Sequence, residues 1–297
     1  MLRPSYLKKG DRIGILAPAR KVSPEEIKFG LEVLTSWGLD VVLAKNLFKN
    51  QNQFSGSDPE RAEDLQTMLD DDSIRAIISA RGGYGTLRIV DKINFTKFIA
   101  NPKWVIGYSD MTVLHAHIEK NFSIETLHAP MVFSFQKNAD SLESLRRALF
   151  GELKNYSVKQ ENSLMRNGEA EGILTGGNLS LIYALTGSVS DIETKGKILF
   201  LEDLDEYLYH MDRMMLHLKR AGKLENLAGL LVGGMTDMKD NTIPFGKTAE
   251  EIIFDAVAEY DFPVCFNFPA GHDTKNFALY LGRKIKLNVG ENISVEF

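Results

Sequence analysis

Four polar groups follow directly on apolar runs in this chain: the loop Arg81-Gly82-Gly83-Tyr84-Gly85, then Ser109, Glu202 and His272. Together they supply a nucleophile, a base, a carboxylate to orient the base, and backbone amides to receive an oxyanion. That is the inventory of acyl transfer. Ser109 lies in Trp104-Val105-Ile106-Gly107-Tyr108-Ser109-Asp110-Met111-Thr112, where an apolar strand passes through a glycine into a helical pattern. A hydroxyl on such a turn stands at the exposed carboxyl edge of a sheet. The amide that follows opens a helix, where negative charge is favoured.

Each residue also has a plainer reading. Ser-Asp before a helix is an ordinary N-cap. The glycines of the Arg81 loop can serve only to supply positive φ, and they match neither Gly-x-Gly-x-x-Gly nor the Walker lysine pattern of phosphate cradles. Asp203, Asp205 and Glu206 compete with Glu202 for the role of the acid, and His272 can be a satisfied loop histidine. The order serine, acid, histidine occurs in α/β-hydrolases, but Gly107-x-Ser109-x-Met111 lacks the second glycine of their elbow. His210 and His217 stand two helical turns apart, too far for one metal, and His115, His117 and His128 form no ligand set. No metal and no cofactor is expected. The single cysteine, Cys265, sits in the apolar run Pro263 to Phe266 and reads as a buried structural thiol.

The elements that must position these groups follow from length and pattern. A chain of 297 residues buries a large core as one large or two moderate domains. With 35 Lys+Arg against 40 Asp+Glu and a net charge of -5, it lacks the basic footprint of a nucleic-acid binder. Lys8 and Lys9 before Ile13 to Ala19 mimic a secretory signal. The apolar run is short, though, and Asp11 and Arg12 directly precede it, so it reads as a first parallel strand. No run reaches membrane-spanning length, and the expected compartment is the cytoplasm.

From Asp11 the chain alternates short apolar runs with helical periodicity. A strand at Ile13 to Ala17 precedes a helix from the Ser23 cap to Trp37, and further strands fall at Val41 to Leu43, Ile74 to Ser79 and Trp104 to Ile106. Helices are expected from Asp58 to Leu69, from the Gly85 turn to about Ile93, and from Met111 to Lys120. This predicts a doubly wound, largely parallel sheet in an N-terminal α/β domain, residues 1–150, that carries the serine. A polar, aperiodic crossover spans 151–171. A smaller C-terminal α/β domain, 172–297, carries Glu202, at the end of the strand Ile198 to Leu201, and His272. In the helix after Glu202, the stripe of Met211, Met214, Met215 and Leu218 is simplest as core packing.

Several motifs together carry a resemblance. They are Phe54-Ser-Gly-Ser-Asp-Pro-Glu-Arg-Ala-Glu-Asp-Leu65, Ala80-Arg-Gly-Gly-Tyr-Gly85, Gly107-Tyr-Ser-Asp-Met-Thr-Val-Leu-His115, Gly176-Gly-Asn178, Leu199-Phe-Leu-Glu-Asp203 and Gly271-His-Asp-Thr-Lys-Asn276. In order, and over nearly the whole chain, they resemble the LD-carboxypeptidase family of serine peptidases, which includes muramoyl-tetrapeptide carboxypeptidases and microcin C self-immunity peptidases. The resemblance implies a triad of Ser109, Glu202 and His272 in a cleft between two domains, with an oxyanion hole from the amides of Asp110, Gly82 and Gly83. It implies hydrolysis of the L,D amide bond before a terminal D-alanine of cell-wall peptides, with peptidases of aminoacyl nucleotides as the alternative within the family. A non-catalytic two-domain ligand-binding protein is the alternative from another class. One departure from the family pattern, His128-Ala129-Pro130 for His-Gly-Pro, touches no catalytic role. Arg81 is placed to take the substrate carboxylate or to pair structurally with a nearby acid. The partners expected are a small muropeptide and, at most, a second copy of the chain, with no nucleic acid and no membrane.

Overall fold

The computed structural model describes residues 1–159 and 164–297. In the first half, strands β1 (Arg12–Leu16), β2 (Asp40–Leu43), β3 (Ile74–Ser79), β4 (Trp104–Gly107) and β5 (Thr126–His128) alternate with helices α1 (Pro24–Ser36), α2 (Asp58–Asp70), α3 (Thr96–Ala100) and α4 (Thr112–Phe122). Helix α5 (Ala139–Leu149) follows. Both α1 and α2 start in a capping box, Ser23 with Glu26 and Ser57 with Glu60, each with a proline in the first turn. The five strands are parallel in the order β5-β4-β3-β1-β2, the doubly wound arrangement expected. Side chains alternate across the sheet. Ile13, Ile78 and Ile106 enter one apolar cluster while Ile77 and Val105 enter the other, which is why these strands read as continuous apolar runs.

The second half contains β6 (Asn155–Lys159), β7 (Gly168–Asn178), α6 (Leu179–Leu185), β8 (Ile198–Leu204), α7 (Leu208–Arg220), β9 (Gly229–Thr236), α8 (Ala249–Ala256), β10 (Val264–Cys265), β11 (Leu279–Leu281), β12 (Lys284–Val289) and β13 (Asn292–Glu296). Its sheet runs β10-β9-β8-β7-β12-β13-β6, parallel from β10 to β7 and antiparallel beyond. The four apolar residues of the α7 stripe are all buried, as core packing requires. Cys265 is buried in β10, and burial pushes its thiol up to about 12.

The structure departs from the sequence expectations in several places. The second sheet has seven strands against six in the first. Strand β11 leaves the second half and pairs antiparallel with β5 at the edge of the first sheet. The stretch 151–171 holds β6 and the start of β7, both paired in the second sheet. Its residues 160–163 lie outside the described residues. After Gly85 there are two 3-10 turns, Thr86–Arg88 and Val90–Lys92, where one helix was expected, and neither has a side-chain cap. Strand β8 does not stop before Glu202. It continues through a register shift between Leu201 and Asp203, an irregularity of the kind that re-aims a side chain.

Helix α4 joins the two halves. The Asn178 N–H donates to Thr112 Oγ1 at 3.1 Å. Deeper in, the buried Glu119 accepts from Thr175 Oγ1 at 2.7 Å and pairs with Lys197 at 2.8 Å. Thus the helix that begins just after Ser109 rests on β7, and β7 is the neighbour of the strand that carries Glu202. No helix among the described residues is long and apolar enough to cross a membrane.

Candidate active site

Strand β4 delivers Ser109 through a strained turn. Ser109 has φ 60°, a left-handed conformation that costs a non-glycine residue on the order of 1–3 kcal/mol and is held only when the surroundings determine it. A 3-10 turn, Ser109–Met111, then leads into α4. The Asp110 side chain is buried and accepts the Thr86 N–H at 2.7 Å, which ties the serine turn to the end of the Gly82-Gly83 loop. Burial raises the pKa of this carboxyl, against the hydrogen bonds from Thr86. The Asp110 side chain therefore holds the serine turn to this loop, a role that only its contacts disclose.

The Gly82-Gly83 loop passes directly over the serine. A Cβ on Gly82 would stand 3.2 Å from Ser109 Cβ and 3.3 Å from its Oγ. Among the described residues, neither the Gly82 nor the Gly83 N–H donates to an intramolecular acceptor, which leaves both for a ligand. Arg61 fastens the loop from behind. Its buried guanidinium donates to the Gly85 carbonyl at 3.0 Å, to the Pro18 carbonyl and to Asp58. The Asp58-Pro-Glu-Arg61 motif thus serves as a brace between the ends of β1 and β3.

Glu202 and His272 meet across the second sheet. Glu202 has no exposed surface, and its Oε2 lies 2.6 Å from His272 Nδ1. Burial alone would lower the pKa of His272, but the Glu202 charge and hydrogen bond outweigh it and hold the imidazolium form above its ordinary range. With Nδ1 engaged, Nε2 is the nitrogen left for a reacting group. The ring of Tyr108, the residue before the serine, lies 4.8 Å from the imidazole.

The competing acids have other partners. Asp203 accepts from Asn178 Nδ2 at 2.8 Å, from the Ser180 N–H at 2.8 Å and from Ser180 Oγ at 2.6 Å, and burial pushes its carboxyl up to about 6. Glu206 binds His210 Nδ1 at 2.6 Å, and Asp205 pairs with Lys239 at 2.6 Å. Arg81 pairs with Glu26 on α1, the structural alternative left open for it. Among the described residues no cluster of three or more His, Cys, Asp or Glu is poised to hold a metal.

Two further residues position the histidine. Asn276 Oδ1 accepts the Gly271 N–H at 2.9 Å and lies 3.1 Å from His128 Nε2, on β5. The Asn276 N–H donates to Ser141 Oγ on α5 at 2.8 Å, so the His272 loop is pinned to the half of the molecule that carries Ser109. His128 is fully buried, and burial, opposed by Glu202, depresses it to about 4, so it serves as a neutral donor. Neither residue is given a role by the sequence, where the available signals are that Asn276 closes the Gly271-His-Asp-Thr-Lys-Asn276 motif and that His128 opens the His128-Ala129-Pro130 segment.

A hydroxyl on a strained turn under a loop of free amides, next in the chain to a tyrosine whose ring packs on an imidazole held by a buried carboxylate, supplies the groups for nucleophilic attack with general-base assistance. Comparison with known proteins points the same way. Residues 13–129 match the model of the LD-carboxypeptidase N-terminal domain and residues 171–287 that of the LD-carboxypeptidase C-terminal domain. The chain is 36% identical to a probable murein peptide carboxypeptidase of Bacillus subtilis, over 99% of this chain and 93% of that one. The solved structure of muramoyltetrapeptide carboxypeptidase from Oxalobacter formigenes superposes with a TM-score of 0.84 at 25% identity, covering 96% of this chain and 97% of the other. MccF in complex with glutamyl sulfamoyl guanosine shares the fold, with a TM-score of 0.88 at 23% identity over 100% of this chain and 99% of that one.

Proposed function

We propose that this chain, which belongs to the LD-carboxypeptidase family, is a cytoplasmic serine carboxypeptidase that releases the terminal D-alanine of murein-derived tetrapeptides by hydrolysing the preceding L,D amide bond. The observation that carries the serine mechanism is the 2.6 Å contact of His272 with the buried Glu202, beside the Ser109 turn. His272 Nε2 takes the Ser109 proton as Oγ attacks the scissile carbonyl, and the amides of Asp110, Gly82 and Gly83 receive the oxyanion. The tetrahedral intermediate collapses with the C–N bond breaking, and His272 gives its proton to the leaving amine. Water, deprotonated in turn by His272, then releases the acyl group from Ser109. Glu202 fixes the tautomer and stabilises the imidazolium. One oxyanion donor is worth about 2.7–4 kcal/mol of barrier.

The test is stereochemical. The leaving residue is held by its carboxylate and by the carbonyl between Ser109 and the amides, so inverting its α-carbon sets the methyl against a wall or turns the nitrogen from His272. A misplacement of about 1 Å costs about a hundredfold. A tetrapeptide ending in a diamino acid and D-alanine is therefore cleaved at least about a hundred times faster than its L-alanine epimer. Equal rates on the two epimers would remove the L,D assignment. Rapid cleavage of an aminoacyl nucleotide, with neither peptide cleaved, would replace the substrate class.

A further inference from the structure

A carboxypeptidase must recognise the terminal carboxylate, and where a cation does so the chemistry says where that cation stands. The atom His272 protonates is the nitrogen of the leaving residue, whose carboxylate carbon is two bonds away. A charge-assisted contact to that carboxylate places the cation within roughly 6 Å of the leaving nitrogen, on the His272 side of the cleft.

Arg20 runs along the Gly83 side of the amide loop, and three further cations come near this region, two of them already engaged. Arg81 pairs with Glu26. Lys275, on the His272 loop, pairs with Asp140 at 3.4 Å. The third is the exposed Lys137, whose ammonium, among the described residues, meets the Phe133 ring at 5.5 Å and no carboxylate.

The segment that carries Lys137 is built into the wall of the site. Met131 Cε would stand 3.0 Å from a Cβ at Gly82, over the serine. The Phe133 N–H donates to the Ala80 carbonyl at 3.1 Å, at the end of β3 just before the Arg81-Gly82-Gly83 loop. The Lys137 N–H donates to the Ser134 carbonyl at 2.9 Å. Ser134 Oγ donates to the Met131 carbonyl at 2.8 Å, and the Tyr108 ring lies against His272 at 4.8 Å. The root of the lysine is thus fixed on the rim shared by the amide loop and the imidazole, and its flexible stem leaves the ammonium free to reach inward.

We propose that Lys137 binds the C-terminal carboxylate of the peptide and that this ion pair makes the site selective for chain ends. The inference rests on the peptidase reading above. The positive charge of Lys137 opposes the rise in the pKa of His272, so its field already reaches the imidazole. A bound carboxylate neutralises that charge and leaves Glu202 unopposed to stabilise the imidazolium as it forms.

The experiment compares kcat/KM for the free-acid tetrapeptide with that for its C-terminal amide, in wild type, Lys137→Met, Lys137→Arg and Arg81→Met. Wild type favours the acid. Lys137→Met lowers the acid-to-amide ratio at least about tenfold, the loss falling mainly on KM, and Lys137→Arg retains most of it. An unchanged ratio in Lys137→Met, or a collapse in Arg81→Met alone, overturns the assignment. Labelling of wild-type Ser109 by a fluorophosphonate reports the serine mechanism separately. With labelling present, an unchanged ratio sinks only the role of Lys137. With no labelling and neither peptide cleaved, the peptidase reading falls and takes Lys137 with it.

Discussion

Gly271 and Glu202 stand closer than any side chain at position 271 would permit. A Cβ on Gly271, which has φ 111°, would lie 2.7 Å from both Cβ and Oε2 of Glu202. Gly271→Ala must therefore displace the acid, the neighbouring His272, or both. A shift of about 1 Å in such a site costs about a hundredfold, so kcat for the tetrapeptide falls by that order while the enzyme remains folded by circular dichroism. Full activity in Gly271→Ala would show that the Glu202–His272 contact is not needed.

The pH profile follows from the same contact. His272 must be neutral to accept the serine proton, and Glu202 raises its pKa above the ordinary value of 6.5. The acid limb of kcat/KM for wild type therefore lies above that value, and activity rises as pH rises through it. Glu202→Gln removes the charge but keeps the burial that lowers the pKa, so the limb moves to lower pH while kcat drops at least about a hundredfold. A limb that stays in place would remove Glu202 as the partner of His272.

Ser109→Ala deletes one half-buried oxygen. Turnover and fluorophosphonate labelling disappear, while the melting temperature stays near that of wild type, since no hydrogen bond that holds the fold is lost. Residual turnover in this variant would place the nucleophile elsewhere.

Asp203 separates stability from chemistry. Its carboxyl titrates at about 6 in the fold against 3.8 unperturbed, so the protonated form is favoured by folding. The stability it contributes is full below pH 3.8 and is lost as pH rises through about 6, an amount on the order of 3 kcal/mol. In Asp203→Asn this loss is absent, so the variant gains on wild type between pH 4 and 6 in urea unfolding. Its kcat/KM falls less than that of Glu202→Gln. The reverse ranking would transfer the role of the acid to Asp203.

Glu119 and Lys197 tie α4 to the second sheet in a largely buried pair. Glu119→Leu alone strands the lysine and costs about 3 kcal/mol, the low end for breaking such a pair because Lys197 is partly exposed. The double variant with Lys197→Met recovers most of that loss, as a double-mutant cycle by urea unfolding will show.

Much of this protein is written locally. Apolar runs ended by glycine or by a polar residue define parallel strands, and in such sheets chemistry collects beyond the carboxyl ends. Ser109, Glu202 and His272 are therefore visible one at a time from their own neighbours in the chain. What the neighbours do not carry is the pairing of distant segments. Glu202 and His272 are 70 residues apart, and Asn276 and His128 are 148 apart. The choice of Glu202 over Asp203 depends on an irregularity in β8 that aims one side chain at His272 while the next meets Asn178 and Ser180. The return of β11 to the first sheet and the pairing of Arg81 with Glu26 are decided in the same way. A strand edge or a charge is satisfied by whatever the fold brings beside it, and periodicity within a segment has no term for that.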